Sequence, residues 1–346
     1  MKISQTSTLS LSQNLRLSLL RTQNELSAAQ VEVTTGRLAD RGLALGARSS
    51  LSVTLARDLE RVRNITDTNA LAKSRLAATQ NALGDLGSRA QGFLSTLTAG
   101  VGGDAGPSVL GGDARATLEM MTAVLNSALN GEYLFAGINT DVEPLTPWKP
   151  GSPAKTGFDA AFVARFGFPP GDPAASGISK ADMQGFLASV EPQFLGAGWA
   201  DWSAASDAPI QSRIALNETA PTSVSANADP IRKLAMAAST VSELMAGALG
   251  PGAREAVVER AVALVSEAIA GLGQLQSDAG ISQKRVSEAT LRLEAQADLF
   301  ERHIGKLEGV DPYEASTRVS QLMDQIEMSY TLTARLGELS LMRFLR

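Results

Sequence analysis

Apolar residues recur in steps of four and three over most of both ends of the chain, a spacing that places side chains on one face of an α-helix. The longest run predicts one helix from about residue 50 to residue 98. Its inward stripe consists of Leu55, Leu59, Val62, Ile65, Asn69, Ala72, Leu76, Thr79, Leu83, Leu86, Ala90, Phe93 and Leu97. At ~1.5 Å per residue this helix is roughly 70 Å long, more than an ordinary globular core can cover. The pattern therefore predicts a bundle of long helices.

The same spacing predicts further helices on both sides of the middle of the chain. They cover residues 11–35, 114–130, 230–249, 253–307 and 312 to the end. In the second long helix the predicted stripe is Val286, Ala289, Leu293, Gln296, Phe300, His303 and Leu307. Glycine-rich stretches at 34–46 and 99–113 interrupt the pattern and predict loops. Asp311 suits the N-cap of the last helix and Pro312 its first position.

The middle of the chain has a different composition. Residues 141–229 hold ten of the 14 prolines, all three tryptophans and six of the ten phenylalanines. Residues 212–227 alternate as strands do, and short helices are predicted near 157–166 and 180–190. We therefore expect a compact insert of short helices, turns and strands.

The predicted fold class is mainly α: a long-helix coiled-coil bundle formed by both the N- and C-terminal regions, with an inserted compact α+β, β-rich outer domain. The insert leaves the helices near residue 131 and returns near residue 230, so the helices that carry it have to lie side by side. The predicted division is an N-terminal helix and loop (1–49), two halves of the bundle (50–140 and 230–310), the insert (141–229) and a C-terminal helix (311–346).

Composition excludes several classes of function. The chain has no cysteine, which rules out disulfides, thiolate catalysis and cysteine-ligated metal. Its net charge of −5 means that it lacks the excess of basic side chains expected of a nucleic-acid-binding protein. Acidic side chains outnumber basic ones by ten to five in residues 141–229, as expected of a solvated outer domain. No run of 18 apolar residues predicts a membrane span, and the first 20 residues do not have the pattern of a cleaved signal peptide.

Candidate chemistry is sparse. His303 is the only histidine and falls on the predicted inward stripe, so we expect a structural role for it rather than a metal or catalytic one. The stretch "GVGGDAG" (100–106) departs from the G-x-G-x-x-G phosphate-binding spacing and is predicted to be a turn. No catalytic, cofactor-binding or metal site is predicted.

Both ends of the chain are unusually apolar. Burying one such side chain stabilises by ~1.5–3 kcal/mol, and a pair of isolated helices covers only one stripe of each, so further partners are needed. The predicted assembly interface comprises Leu11, Leu15, Leu19, Leu26, Leu332, Leu336, Leu339, Leu341, Met342, Phe344 and Leu345. We expect other copies, or a related protein, to cover it.

Four stretches of the chain match the motifs of one known group of proteins. "MKIS" with the helix that follows it (1–35) resembles the start of the family, and "TTGR" (34–37) resembles its S-T-G-[KR] turn. "LNGEYLFAG" (129–137) resembles the N-G-x-Y-[IL]-F-A-G of hook–filament junction proteins. "DPYEASTRVSQLMDQIEMSYTLTARLGELSLMRFL" (311–345) resembles the shared C-terminal helix. The chain thus resembles the hook-associated protein 3 family of the flagellin superfamily, over about 1–140 and 230–346.

The sequence departs from that family at two places. "RLADRGLALGARSS" (37–50) replaces an acidic, proline-containing segment, and the middle domain has no matching motif. The resemblance places the junction between the helices and the outer domain at Tyr133, Leu134, Phe135, Ala136 and Gly137.

The resemblance implies a structural, non-enzymatic subunit without cofactor. Implied partners are other copies of the chain in a ring, the hook-side junction protein (hook-associated protein 1), flagellin and a flagellar export chaperone. The implied location is the extracellular flagellum, reached through the flagellar type III apparatus without a cleaved signal peptide. In this family the terminal helices fold as subunits stack into a tube.

Two other functions stay open on the sequence alone. One is a filament-forming flagellin, which belongs to the same structural class. The other is a glycan-active hydrolase that would use a carboxylate pair of the acidic middle domain, either Asp141 with Glu143 or Asp201 with Asp207.

Overall fold

The computed structural model describes the backbone of residues 8–344 and the side chains of residue 10 and of residues 13–335. Helices account for 75% of the chain, which confirms the predicted mainly α class. The α-helices are α1 (Thr8–Thr35), α2 (Arg41–Leu45), α3 (Ser49–Gly102), α4 (Pro107–Leu125), α5 (Pro153–Phe166), α6 (Lys180–Leu195), α7 (Asp229–Leu244), α8 (Pro251–Glu308) and α9 (Pro312–Phe344). The strands are β1 (Ala128–Leu129), β2 (Glu132–Tyr133), β3 (Gln211–Ala215) and β4 (Glu218–Pro221).

The stripe predicted for the first long helix is confirmed on α3. Every member from Leu59 to Leu97 is buried, and Leu55 is half-buried. The stripe includes two polar residues, Asn69 and Thr79. The Asn69 side chain donates a hydrogen bond from Nδ2 to the Ile214 carbonyl oxygen (2.9 Å), which fastens strand β3 to the helix.

The stripe predicted for α8 is wrong at two positions beyond Leu293, whereas its members Phe300 and Leu307 are half-buried. Gln296 and His303 are exposed, and Ile304 is buried instead. After Leu293 the inward series advances by four residues to Ala297, not by three to Gln296. The next inward residues are Phe300 and Ile304, so the steps of three and four follow in the opposite order to the prediction. His303 therefore has no core role.

The helix predicted over 114–130 begins and ends earlier than expected. Helix α4 ends at Leu125, and β1 and β2 then form a two-residue hairpin. Asn130 and Gly131, with φ values of 55° and 85°, occupy the turn between them. An Asn-Gly pair with positive φ at both positions is the preferred connection between antiparallel strands, and it ends the helix.

Both predicted glycine loops contain helix. Within 34–46, α2 begins after Asp40, whose carboxylate accepts a hydrogen bond from the Leu43 amide (2.9 Å). Within 99–113, α3 continues to Gly102 and α4 begins at Pro107, so the true turn is short. Proline at the first helical position lacks an N–H that would have no partner there in any case.

Residues 65–292 form one compact unit, and residues 1–64 with 293–346 form the other. In the 65–292 unit, antiparallel β3 and β4 bury Ile214 and Ala220 in a small apolar cluster with side chains of α3 and α8. The aromatic residues of the insert belong to the same buried cluster as α4 and α7. Trp148 stacks on Trp202 with ring centroids 4.9 Å apart. The predicted short helices of the insert are confirmed, whereas the strand prediction over 212–227 is confirmed only as far as Pro221.

Candidate assembly surface

Helices α1 and α9 of the 1–64 and 293–346 unit pack against each other in antiparallel orientation. Arg318 Nη1 donates to Glu32 Oε2 (3.2 Å), and Gln23 Nε2 donates to the Tyr330 hydroxyl (3.0 Å). The C-terminal end of α1 therefore lies beside the start of α9. We call this pair the terminal-helix pair.

Burial in the terminal-helix pair is greatest where the two helices meet the turns at residues 36–40 and 309–311. There Ala29 and Glu32 of α1 and Ala315 and Leu322 of α9 are buried. Further along the pair, the predicted interface residues Leu15, Leu19 and Leu26 are only half-buried. Leu332 retains 54% of its surface in contact with solvent.

Large apolar side chains are exposed along both helices of the pair. They are Leu17, Leu20, Val31 and Val33 on α1 and Tyr313, Met323, Met328, Tyr330 and Leu332 on α9. Each helix uses one stripe for its partner and carries further apolar residues outside that stripe. A helix that is apolar on more than one side requires neighbours on more than one side.

The remaining members of the predicted interface are Leu11, Leu336, Leu339, Leu341, Met342, Phe344 and Leu345. Their side chains lie outside the residues that the structure describes. Assignment of the whole set to an assembly interface stays a prediction.

Two turns join the terminal-helix pair to α3 and α8, and they are hydrogen-bonded to each other. The Leu38 amide donates to the Glu308 carbonyl oxygen (2.8 Å), and the Val310 amide donates to the Gly36 carbonyl oxygen (3.1 Å). The fully buried Glu308 side chain lies at this crossing, which we call the turn junction. Sequence reasoning missed it, because Glu308 contacts residues that are more than 250 positions away along the chain.

The predicted domain-junction residues lie in the 65–292 unit. Leu134, Phe135 and Ala136 are buried, and the Phe135 carbonyl oxygen accepts a hydrogen bond from the Ala226 amide (2.8 Å). Arg75 Nη2 donates to the Tyr133 carbonyl oxygen (2.8 Å). This stretch therefore holds the residues where the chain enters the insert against the residues where it leaves, and against α3.

Gly137 closes the same stretch in a conformation that suits glycine. Its φ is +63°, and a Cβ at this position would approach the Ser206 carbonyl oxygen and lie 2.8 Å from the Ala208 carbonyl oxygen. The close approach of two backbone segments requires a residue without a side chain.

The two carboxylate pairs proposed for a hydrolase, Asp141 with Glu143 and Asp201 with Asp207, lie at exposed positions. Glu143 accepts from Asn126 Nδ2 (2.7 Å) and lines a cavity of about 750 Å³, whereas Asp207 accepts from Asn227 Nδ2 (2.8 Å) and lines a different one of about 460 Å³. Among the residues that the structure describes, no group of three or more His, Cys, Asp or Glu side chains is placed to hold a metal ion. Within the same part of the chain, no helix has the length and apolarity needed to span a membrane.

Two family models match the chain. The bacterial flagellin N-terminal helical region matches residues 6–140, and the bacterial flagellin C-terminal helical region matches residues 262–345. Together they cover more than half of the chain and contain both members of the terminal-helix pair. The chain belongs to the flagellin superfamily. It is accordingly a structural subunit of the flagellum, in a family of extracellular filament components.

A solved structure has a similar fold. It is that of a protein from Vibrio parahaemolyticus, provisionally described as a flagellar hook-associated protein. The TM-score is 0.52 at 10% sequence identity, over 75% of this chain and 97% of that one. At this identity the likeness concerns the fold alone. A search of curated proteins gives no significant match.

Proposed function

We propose that this flagellin-superfamily chain is a hook–filament junction subunit. It would join the hook, through the hook-side junction protein, to the flagellin filament. Polymerisation would proceed through the terminal-helix pair, with copies of the chain forming a short ring in the axial structure.

The observation that carries the assembly step is the exposed apolar surface of α1 and α9. Leu17, Leu20 and Leu332 each leave half or more of their surface in water, although the helices that carry them are already paired. Covering such side chains stabilises each by ~1 kcal/mol or more, so a polymer gains free energy that the monomer lacks. Folding of the helix tips and assembly then become coupled.

The junction role has narrower support. The stretch from Asn130 to Gly137 resembles the motif of junction proteins, and it contributes the buried, glycine-closed crossing at the entry to the insert. The similar Vibrio parahaemolyticus protein is described as hook-associated. Apolar terminal helices of this kind also fit export through the flagellar type III apparatus, with an export chaperone covering them before assembly.

A filament-forming flagellin is the second candidate, because both matching family models are those of flagellin. Electron microscopy of purified protein at high concentration separates the two. A junction subunit forms short rings or small oligomers and adds to hook-side junction protein when that protein is present. Long tubes formed by this chain alone would overturn the junction role and support the filament role.

A cross-linking experiment in flagellated cells tests the partners. A photoreactive residue placed at Leu332, which is exposed on α9, should trap the hook-side junction protein and flagellin as well as other copies of the chain. The same residue placed at Val163, exposed on α5 of the insert, serves as a control with a different partner pattern. Cross-links from Leu332 to flagellin alone would contradict a place between hook and filament.

A further inference from the structure

The turn junction contains a buried carboxylate held by three side chains from three parts of the chain. Glu308 Oε1 accepts from Arg41 Nη1 (3.3 Å) and also from the Ser52 hydroxyl. Glu308 Oε2 has Arg37 Nη1 at 3.6 Å and accepts no hydrogen bond from the described residues. The two arginines are half-exposed, whereas the Glu308 side chain is 1% exposed.

A charge in such a place is costly unless its partners stay in position. Removing a carboxylate from water is compensated only when cations and hydrogen-bond donors surround it. Arg37, Arg41 and Ser52 lie on the turn after α1, on α2 and at the start of α3, and Glu308 ends α8. If the turns separate, Glu308 loses all of these contacts together.

A second buried carboxylate continues the arrangement onto the helices. Glu32 is 8% exposed and accepts from Arg318 Nη1 on α9 (3.2 Å) and from the Ala39 amide in the turn (3.3 Å). The turn after α1 is thus held at Glu32 and at Glu308. Apolar contacts have no preferred direction and allow two helices to shift along each other. Hydrogen bonds to a buried charge are directional and favour one arrangement.

We propose that Glu308 is the positioning residue of the turn junction, which fixes the direction in which the terminal-helix pair leaves α3 and α8. This inference rests on the proposed function, because it assigns the ion-pair cluster the task of presenting the assembly surface in one orientation. Neutralising Glu308 releases the turns while the 65–292 unit stays folded.

Hydrogen exchange at two amides tests the release directly. In Glu308→Gln, exchange of the Leu38 and Val310 amides, which bond across the turns, should accelerate about tenfold or more. Glu301→Gln is the matched control: Glu301 lies on the same helix and pairs with Arg63, but both side chains are about half-exposed. Equal exchange in the two variants at these amides would overturn the proposal.

The absence of cysteine allows a second readout, the orientation itself. Spin labels at Gln30→Cys on α1 and Arg57→Cys on α3, both exposed positions, report the distance across the turn junction. We expect one narrow distance distribution in the parent chain and in Glu301→Gln, and a broad one in Glu308→Gln. A narrow, unshifted distribution in Glu308→Gln contradicts a positioning role.

A coupling measurement separates positioning through the ion pair from general loss of stability. Arg41→Gln should accelerate the Leu38 and Val310 amides in the parent chain, but have little further effect in Glu308→Gln. Additive effects would overturn the proposal. All three tryptophans lie in the 65–292 unit, so their fluorescence monitors that unit independently and should stay unchanged.

Assembly distinguishes this inference from the proposed function. If the parent chain assembles and Glu308→Gln assembles equally well, the positioning role fails while the proposed function stands. If the parent chain does not assemble with itself or with flagellar partners, the proposed function fails, and the exchange and distance measurements still decide whether Glu308 orients the pair.

Discussion

Gln23 on α1 donates a hydrogen bond to the hydroxyl of Tyr330 on α9, 3.0 Å away and 307 residues distant in sequence. Together with the hydrogen bond from Arg318 to Glu32, this contact shows that α1 and α9 pair in antiparallel orientation. Beyond it toward the chain ends, Leu20 and Leu332 remain exposed. Pairing within one chain therefore supplies polar contacts and one apolar stripe, and leaves further apolar surface for other molecules.

Replacing an exposed apolar residue of α9 by an acid should block assembly without unfolding the monomer. We expect Leu332→Asp to leave monomer helicity nearly unchanged, because the side chain is 54% exposed. Loss of its burial in the polymer, with a charge in its place, should raise the critical concentration for assembly about tenfold or more, equivalent to ~1.4 kcal/mol. Sedimentation and circular dichroism measure the two effects.

Ser320→Asp is the matched control for this substitution, since Ser320 is an exposed polar residue on the same helix, ~120° around it from Leu332. It introduces the same charge without removing apolar surface and should assemble nearly as the parent chain does. Equal assembly of Leu332→Asp and the parent chain would remove Leu332 from the interface.

Deleting both terminal helices should uncouple folding from assembly. A chain that spans residues 36–311 retains the whole 65–292 unit and the Arg37, Arg41, Ser52 and Glu308 cluster. It should stay soluble, keep its tryptophan fluorescence and fail to enter rings or add to flagellar partners. Assembly of this shortened chain at the concentration used for the full chain would contradict the role of α1 and α9.

The crossing at Gly137 should be intolerant of a side chain. Gly137→Ala places a Cβ 2.8 Å from the Ala208 carbonyl oxygen at a φ of +63°, and we expect a loss of ~2 kcal/mol or more in the free energy of unfolding. Gly151→Ala, with a φ of +85° and open space around it, should lose only ~1 kcal/mol from backbone strain. Urea unfolding followed by fluorescence compares them; equal losses would mean that the close approach at Gly137 is unimportant.

Much of the fold follows from the spacing of apolar residues. The α3 stripe from Leu59 to Leu97 is buried as predicted because a long helix that packs on one side has to keep one apolar face. The prediction for the α8 stripe was wrong at Gln296 and His303, because Ala297 and Ile304, one position further along, face inward instead. The predicted end of α4 was wrong because the Asn130–Gly131 turn, with positive φ at both residues, is incompatible with a continued helix.

The candidate site was only partly accessible to sequence reasoning. The apolar terminal helices are evident from composition, and Leu15, Leu19 and Leu26 do lie along the paired surface. The turn junction could not be predicted from the sequence, because the contacts of Glu308 with Arg41 and Ser52 join positions more than 250 residues apart. A long-range ion pair has no periodicity that a single sequence displays.

Hydrogen exchange of the full chain before and after assembly tests the central claim most directly. In dilute monomer, amides around Leu15 and Leu332 should exchange rapidly, while those around Ala29 and Ala315, beside the turn junction, should be protected. On assembly into rings, or on addition to hook-side junction protein, protection should spread to Leu15 and Leu332. Full protection of those two positions in the lone monomer, unchanged by assembly, would contradict the account.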